Sequence, residues 1–344
     1  MHQVITPTKA TKPTGRHQPT GSTDATAPEV SIIIPVFNTG PYLQEAVDSV
    51  LGQQPTSEGS VPRFELILID DASTDAVTLE LLERLPRLDP RIVVLQNQRR
   101  KGAAGARNSG ILRCRGAWLA FLDSDDVWTK HSLALRWQEV RGNPQARWVA
   151  GRFRIWKPQA DHAGVAVFPS LSTLWQTFDT PQAPAEFKRL EKPVQAFSRS
   201  CFIGIISVLM QRSLVLEQGL FDESLLRSED YHLWFKCALD HDLWMTEADV
   251  SFYRIHPASL THGDAPRFLH EDRMIELLLR SPRALAYRNL FLRRFDLVMQ
   301  DTCYFYREHR LFGKAFGTGW QWLRKRPSNL AAWKELTACC LRAA

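Results

Sequence analysis

Trp118-Leu119-Ala120-Phe121-Leu122-Asp123-Ser124-Asp125-Asp126 is a short apolar run that stops at three carboxylates. A run of this length reads as a buried strand. Asp123, Asp125 and Asp126 then crowd together where the strand emerges. Carboxylates so close repel one another and shift each other's protonation unless a cation offsets them. An Asp-x-Asp brought to the carboxyl edge of a sheet is a site for a hard divalent metal.

Working outward, the same pattern recurs upstream. The spacing predicts a buried strand over 30–37, and Pro41 opens a helix with Leu43, Ala46, Val47, Val50 and Leu51 on one face. A second strand over 64–69 ends in Asp70-Asp71. Leu81, Leu82, Leu85 and Leu88 mark the next helix, 92–95 a third strand and 103–114 a third helix. Strand and helix alternate, which predicts an α/β fold with a mostly parallel sheet flanked by helices. Asn38, Asp70-Asp71 and Asp123-Ser124-Asp125 all fall at strand ends, the edge where open α/β sheets bind ligands. Beyond residue 130 the pattern weakens. Residues 148–156 and 243–255 read as strands and 229–239 as a helix, while 157–200 reads as loops with short elements. Residues 268–341 read as several helices, with Leu285, Phe295, Phe316, Trp320, Leu323 and Trp333 among their apolar positions. Residues 1–28, rich in Thr, Pro and Gly, read as a disordered tail.

The formal charge of +6 is uneven. From Pro266 onward there are 15 Lys and Arg against 7 Asp and Glu, an excess of +8; the remainder carries 28 against 30. A basic segment meets an anionic membrane, nucleic acid or an acidic partner, or is a solvated helical face. No nucleic-acid recognition motif accompanies it, so nucleic acid is not an expected partner. Six cysteines without a Cys-x-x-Cys pair fit reduced thiols in a cytoplasmic protein. The N-terminus lacks the apolar stretch of a signal peptide. The longest candidate membrane run, 202–210, falls far short of the ~20 residues that a spanning helix needs.

No Gly-x-Gly-x-x-Gly follows the first strand, where the turn reads Phe37-Asn38-Thr39-Gly40-Pro41, and no P-loop occurs. A bound nucleotide would need a metal to hold its phosphates. Asp123-Ser124-Asp125-Asp126-Val127 also resembles the nucleophile motif of haloacid-dehalogenase-like phosphatases. That motif ends the first strand of its core, however, whereas three strands precede it here. No downstream Lys and Asp-Asp constellation completes it.

Seven segments, in order, resemble the family 2 glycosyltransferases. They are Ser31-to-Asn38 (SIIIPVFN), Leu66-to-Asp75 (LILIDDASTD), Gly105-to-Gly110 (GARNSG) and Phe121-to-Asp126 (FLDSDD), then Gly219-to-Glu223 (GLFDE), Ser228-to-Trp234 (SEDYHLW) and Tyr253-to-Thr261 (YRIHPASLT). The resemblance spans about residues 30–262. It implies a GT-A fold, a Rossmann-like nucleotide-diphospho-sugar transferase over 29–265. Its nucleotide-sugar half would be 29–127 and its acceptor half 128–265, followed by a basic helical extension over 266–344. It also implies transfer of a sugar, with inversion, from a nucleoside-diphosphate sugar to a saccharide or lipid-linked acceptor in cell-surface polysaccharide or glycolipid synthesis. A UDP-sugar is the favoured donor and Mg2+ or Mn2+ the cofactor.

By the same resemblance Asp125 is the direct metal ligand, with Asp123 on the ribose or the metal's water shell and His256 near the metal or diphosphate. Pro35, Phe37 and Asp71 contact the nucleotide, Phe37 flanking the base and Asp71 accepting from it. Arg107 lies near the nucleotide or, alternatively, pairs with the Asp70-Asp71 turn. Asp70 caps the next helix or braces its loop. Asp126 orients its loop or is a solvated cap for a helix beginning near Thr129. Asp230 is the catalytic base and Glu229 positions the acceptor; the alternative for both is a surface helix start. Trp234 is a core residue or stacks on a sugar. The long loop over 53–63 departs from a tight connection, and 157–200 has no counterpart, which hides the acceptor. Two further readings stand beside this one: a non-catalytic scaffold on the same fold, and peripheral membrane contact through the basic tail with Trp320, Trp322 and Trp333.

Overall fold

The computed structural model describes residues 26–160, 166–178, 186–256 and 268–343. Most of the expected N-terminal tail, residues 1–25, lies outside them. The first half alternates as the sequence requires: β1 (Val30–Val36), α1 (Tyr42–Leu51), β2 (Phe64–Asp70), α2 (Ala76–Leu88), β3 (Ile92–Gln96), α3 (Ala103–Arg113) and β4 (Trp118–Phe121). These strands pair in parallel in the order β3-β2-β1-β4. All seven residues of β2 are buried, because helices cover both faces of a parallel sheet. α2 is capped by Asp75, whose carboxylate accepts the Thr78 N–H at 2.8 Å.

The second half contains β5 (Val127–Trp128), α4 (Ser132–Gly142), β6 (Trp148–Trp156), the small hairpin β7 (Gln159–Ala160) and β8 (Ala166–Val167), and α5 (Leu171–Phe178). Then come β9 (Phe187–Leu190), α6 (Val194–Arg199), β10 (Val208–Gln211), α7 (Arg212–Glu217), α8 (Glu229–Ala238) and β11 (Leu243–Arg254). β10 runs antiparallel between β4 and β6, which restores β6 and β11 to the direction of β1. The sheet is thus mixed but mostly parallel, with β5 and β9 antiparallel on β11. Alternation alone did not reveal this reversal, since β10 is four residues long and enters from a single 3-10 turn rather than a crossover helix.

Trp128, Trp148 and Trp234 are fully buried. Trp234 stacks on Trp148 at 5.9 Å between ring centroids, so it is a core residue and not a sugar platform. The chain ends in α9 (Glu271–Arg280), α10 (Arg288–Glu308), α11 (Phe312–Lys325) and α12 (Leu330–Ala343). Phe291 and Phe295 of α10 join the main core, Phe291 packing edge-on against Phe235 of α8 at 5.2 Å. Trp322 is buried and donates to Asp296 at 2.8 Å. Trp320 and Trp333 are instead half exposed, as are Phe316 and Leu285. Among the described residues no helix is long and apolar enough to cross a membrane.

Candidate active site

Three turns at the carboxyl edge of the parallel strands are stapled together. Asn38, in the left-handed region at φ 49°, follows β1 and accepts the N–H groups of Thr74 and Asp75 at 2.7 and 3.1 Å. Ala72 after β2 is also left-handed, φ 65°. A non-glycine residue there costs about 1–2 kcal/mol, strain of the kind that persists where surrounding contacts over-determine the backbone. Asp70 accepts from Ser73 N–H at 2.9 Å and Gln96 Nε2 at 3.0 Å, so it braces its loop while Asp75 does the capping. Asp71 accepts from Asn97 Nδ2 at 2.5 Å and Gly102 N–H at 2.8 Å. Both oxygens of Asp71 are therefore tied to the turn before α3, each with a second lone pair remaining. Pro35 is partly buried in β1, beside Ile69. The Phe37 ring beyond it is 47% exposed, with Lys101 Nζ 3.9 Å above its centre.

α3 lies close against this edge. A side chain at Gly105 would collide with the Arg100 carbonyl, and one at Gly110 would meet Ile33 at 2.7 Å, so this helix needs glycine at both places. Its Asn108 exchanges hydrogen bonds with the Phe221 backbone at 2.9 and 3.0 Å, which pins the 219–223 turn beside it. Arg107, 3% exposed, does not reach Asp70 or Asp71; the expected alternative pairing is replaced by another. One guanidinium nitrogen donates to Asp123 and the other to Glu229, both at 2.6 Å. Burial alone would make Arg107 easier to deprotonate, but Asp123 and Glu229 outweigh it and hold the guanidinium charged.

The Asp123–Asp126 turn is held from beneath. Asp126 is buried and accepts the backbone N–H of Arg254 at 2.7 Å; it is not a solvated helix cap, and α4 begins only at Ser132. Burial, then Asp125 and Asp123, push its carboxyl well above the usual range. Burial also raises Asp123, with Arg107 opposing and Asp125 adding to the rise. Arg254 donates to the Asp125 carbonyl at 2.7 Å and to Glu45 at 2.7 Å, with its guanidinium 3.8 Å from the Trp156 ring centre. Neither Arg254 nor Glu45 was singled out in the sequence. Arg254 stands inside the Tyr253-Arg254-Ile255-His256 segment, the one signal available for it. Two residues on, His256 Nε2 lies 2.9 Å from Asp125 Oδ2.

Across the site, Ser228 takes a left-handed turn at φ 61° into α8, which opens with Glu229 and Asp230. Glu229 reaches Arg107. Asp230 keeps some solvent contact but is walled by protein on most sides, and it accepts the Tyr231 N–H at 2.7 Å. Partial burial, then repulsion from Glu229, push its carboxyl up to about 7, with Arg107 pulling the other way. A carboxylate with that affinity can take a proton from a neutral donor near neutral pH. Asp125 with His256, Arg107 with Asp123, and Glu229 with Asp230 thus form one continuous polar site. Its members come from strand ends, the interior of α3 and the start of α8, up to 149 positions apart in the chain.

The glycosyl transferase family 2 model matches residues 31–176. The succinoglycan biosynthesis protein ExoO of Rhizobium meliloti is 36% identical over 283 residues, covering 78% of this chain and 70% of that protein. The E. coli UDP-Glc:alpha-D-GlcNAc-diphosphoundecaprenol beta-1,3-glucosyltransferase WfgD is 26% identical over 75% of this chain and 89% of its own length. A putative teichuronic acid biosynthesis glycosyltransferase of Bacillus subtilis, TuaG, is 42% identical, but that match spans 39% of its length. Among solved structures, S. aureus TarS 1–349 in complex with UDP-GlcNAc superposes with a TM-score of 0.53 at 18% identity, over 90% of this chain and 79% of that one. The Pyrobaculum calidifontis mannosyltransferase in complex with GDP-Man and Mn2+ gives 0.56 at 16%, over 92% and 81%. These likenesses establish a GT-A fold. With its motifs gathered at one sheet edge and a relative matched along most of both chains, the protein belongs to glycosyl transferase family 2.

Proposed function

We propose that the protein transfers a sugar, with inversion, from a nucleoside-diphosphate sugar to a hydroxyl of a saccharide or lipid-linked acceptor, with a divalent metal bound at Asp125. What carries this reading is Arg107, which ties Asp123 of the strand-end turn and Glu229 of α8 at 2.6 Å each. The clamp brings the acid that would receive a proton into the same site as the acids that would manage the leaving group.

Asp230 accepts the proton of the acceptor hydroxyl as the acceptor oxygen forms its bond to the anomeric carbon. The bond from that carbon to the diphosphate breaks on the opposite side. One displacement needs one base and no sugar–enzyme intermediate, and Asp230 is poised for this near neutral pH. Glu229, anchored by Arg107, orients the acceptor. Phe37 offers an exposed ring face to the base, and Asp71 offers its remaining lone pairs to a base N–H. Asp123, partly open to solvent, faces the ribose.

The residues fit a divalent ion. Asp125 oxygen and His256 nitrogen lie 2.9 Å apart; the carboxylate suits Mg2+ or Mn2+, while an imidazole ligand would favour Mn2+ of the two, since Mg2+ is held through oxygen. No three or more His, Cys, Asp or Glu side chains are placed to hold one ion among the described residues, so diphosphate oxygens and water would complete the coordination. When bound, the ion neutralises the charge that develops on the leaving diphosphate. Support for a UDP donor and a lipid-linked acceptor comes from the name of WfgD, and for cell-surface polysaccharide synthesis from ExoO.

A screen of nucleotide-sugar hydrolysis with Mg2+ or Mn2+ identifies the donor without an acceptor. Manganese binding in the presence of the matching nucleotide, read by electron paramagnetic resonance, should weaken in Asp125→Ala and His256→Ala. No nucleotide binding of any kind would favour a non-catalytic scaffold and sink the proposal.

A further inference from the structure

A cavity of about 410 Å³ lies between α6 and α10, and none of the carboxylates of the candidate active site lines it. Its floor is the Arg294–Glu271 pair at 2.6 Å, largely buried, with Arg294 also reaching the Arg199 carbonyl at 3.3 Å. Leu290 and Leu297 line the α10 wall, with Gln195 on the α6 side. Two more arginines, Arg199 and Arg293, are exposed at its rim, and neither has a carboxylate partner among the described residues. Two unpaired guanidiniums beside an apolar wall are matched by an anion carried on an apolar body, since the guanidinium fork suits phosphate.

The surroundings favour a membrane over a free solute. Leu290, Arg293, Arg294, Leu297 and Tyr304 fall within one face of α10 at helical spacing, with the exposed acids Asp301 and Glu308 toward its far end. On that face Leu297 is 53% and Tyr304 56% exposed. Half-exposed Trp320 and Trp333 stand on the following helices, and the segment carries the +8 excess. Exposed Leu and Tyr beside arginine describe a helix face that lies in a lipid headgroup layer.

We propose that the α6–α10 groove binds the phosphate headgroup of an anionic membrane lipid, with Arg199 and Arg293 on the phosphate and Leu297 in the acyl boundary. This goes beyond the transferase reading and does not depend on it, because binding can be measured without a sugar donor.

The test is co-sedimentation of the full chain with phosphatidylcholine vesicles, with and without phosphatidylglycerol. The wild type should prefer the anionic vesicles. Each basic residue near such a surface adds about fivefold to partitioning, so Arg199→Gln with Arg293→Gln should lower it roughly thirtyfold. Leu297→Glu, a change at an exposed position, should lower it about fivefold or more by setting a carboxylate against the phosphate. A charge-matched control, Lys314→Gln with Arg324→Gln on α11, should lower it several-fold less. No preference for anionic vesicles overturns the proposal, as does a control that loses as much as the groove variant. Displacement of the protein by a few millimolar inorganic phosphate would also overturn it, by making the site one for a free anion. Thermal melts of each variant, unchanged from wild type, exclude misfolding as the cause.

Discussion

On the donor side, Asp70 and Asp71 present four carboxylate oxygens, and each accepts a hydrogen bond, from Ser73, Gln96, Asn97 and Gly102. On the acceptor side, Asp230 accepts one among the described residues, from Tyr231 N–H, and it faces the negative charge of Glu229. The side chain is the same, but the environments are opposed. Where the loop must hold still, aspartate has a donor on every oxygen and serves as a brace. At the proposed base, aspartate is partly buried and short of donors beside a like charge, which together raise its proton affinity. Arg107 ties Glu229 to Asp123 and keeps that repulsion within bounds.

The contrast breaks most sharply at Asp230. Replacing it with Asn keeps its shape and removes the base, so kcat should fall about 10²–10⁴-fold with little change in donor KM. Steady-state kinetics on the donor and acceptor found by screening would check this. Next comes the clamp. Arg107→Met leaves Asp123 and Glu229 without their shared cation and should cost about 3–5 kcal/mol, read from the urea midpoint. A smaller effect has the opposite sign. Because the folded protein raises the proton affinity of Asp230 above its unfolded value near 3.8, this group's contribution is fully present below that value. It is lost as pH rises through about 7. Asp230→Asn should therefore stabilise the protein at pH 8 by roughly 1–2 kcal/mol, a figure discounted for the solvent contact the carboxyl keeps, and by little at pH 4. Differential scanning calorimetry at the two pH values separates these outcomes. Smallest is the exposed ring at the donor edge. Phe37→Leu should weaken nucleotide binding by roughly 1 kcal/mol in calorimetry and leave the melting temperature unchanged, since the ring covers no core.

Much of the donor side was legible because its information is local. The seven-residue strands β1 and β2 run into Asn38 and Asp70-Asp71, and periodicity places both groups at one sheet edge. The acceptor side was legible only through resemblance, because Glu229 and Asp230 open a helix that composition alone cannot tell from a surface one. Partners across long separations were not legible at all. Arg107 meets Glu229 122 positions away, and Arg254 meets the Asp125 carbonyl 129 away. No spacing rule links residues that meet only when the sheet closes. The same holds for β10, whose reversal follows from packing between β4 and β6, and for the tail, where an amphipathic pattern could not separate buried Trp322 from exposed Trp320.

The central claim is that the site prepares Asp230 to hold a proton near neutral pH, and it needs no substrate to test. Carbon-13 NMR titration of the aspartate carboxyl groups, with Asp230 assigned by its absence in Asp230→Asn, reads this directly. The account predicts an apparent pKa of about 7, moving higher in Arg107→Met if that variant stays folded. Titration of the Asp230 carboxyl near 4, as in an open solvated aspartate, would contradict it.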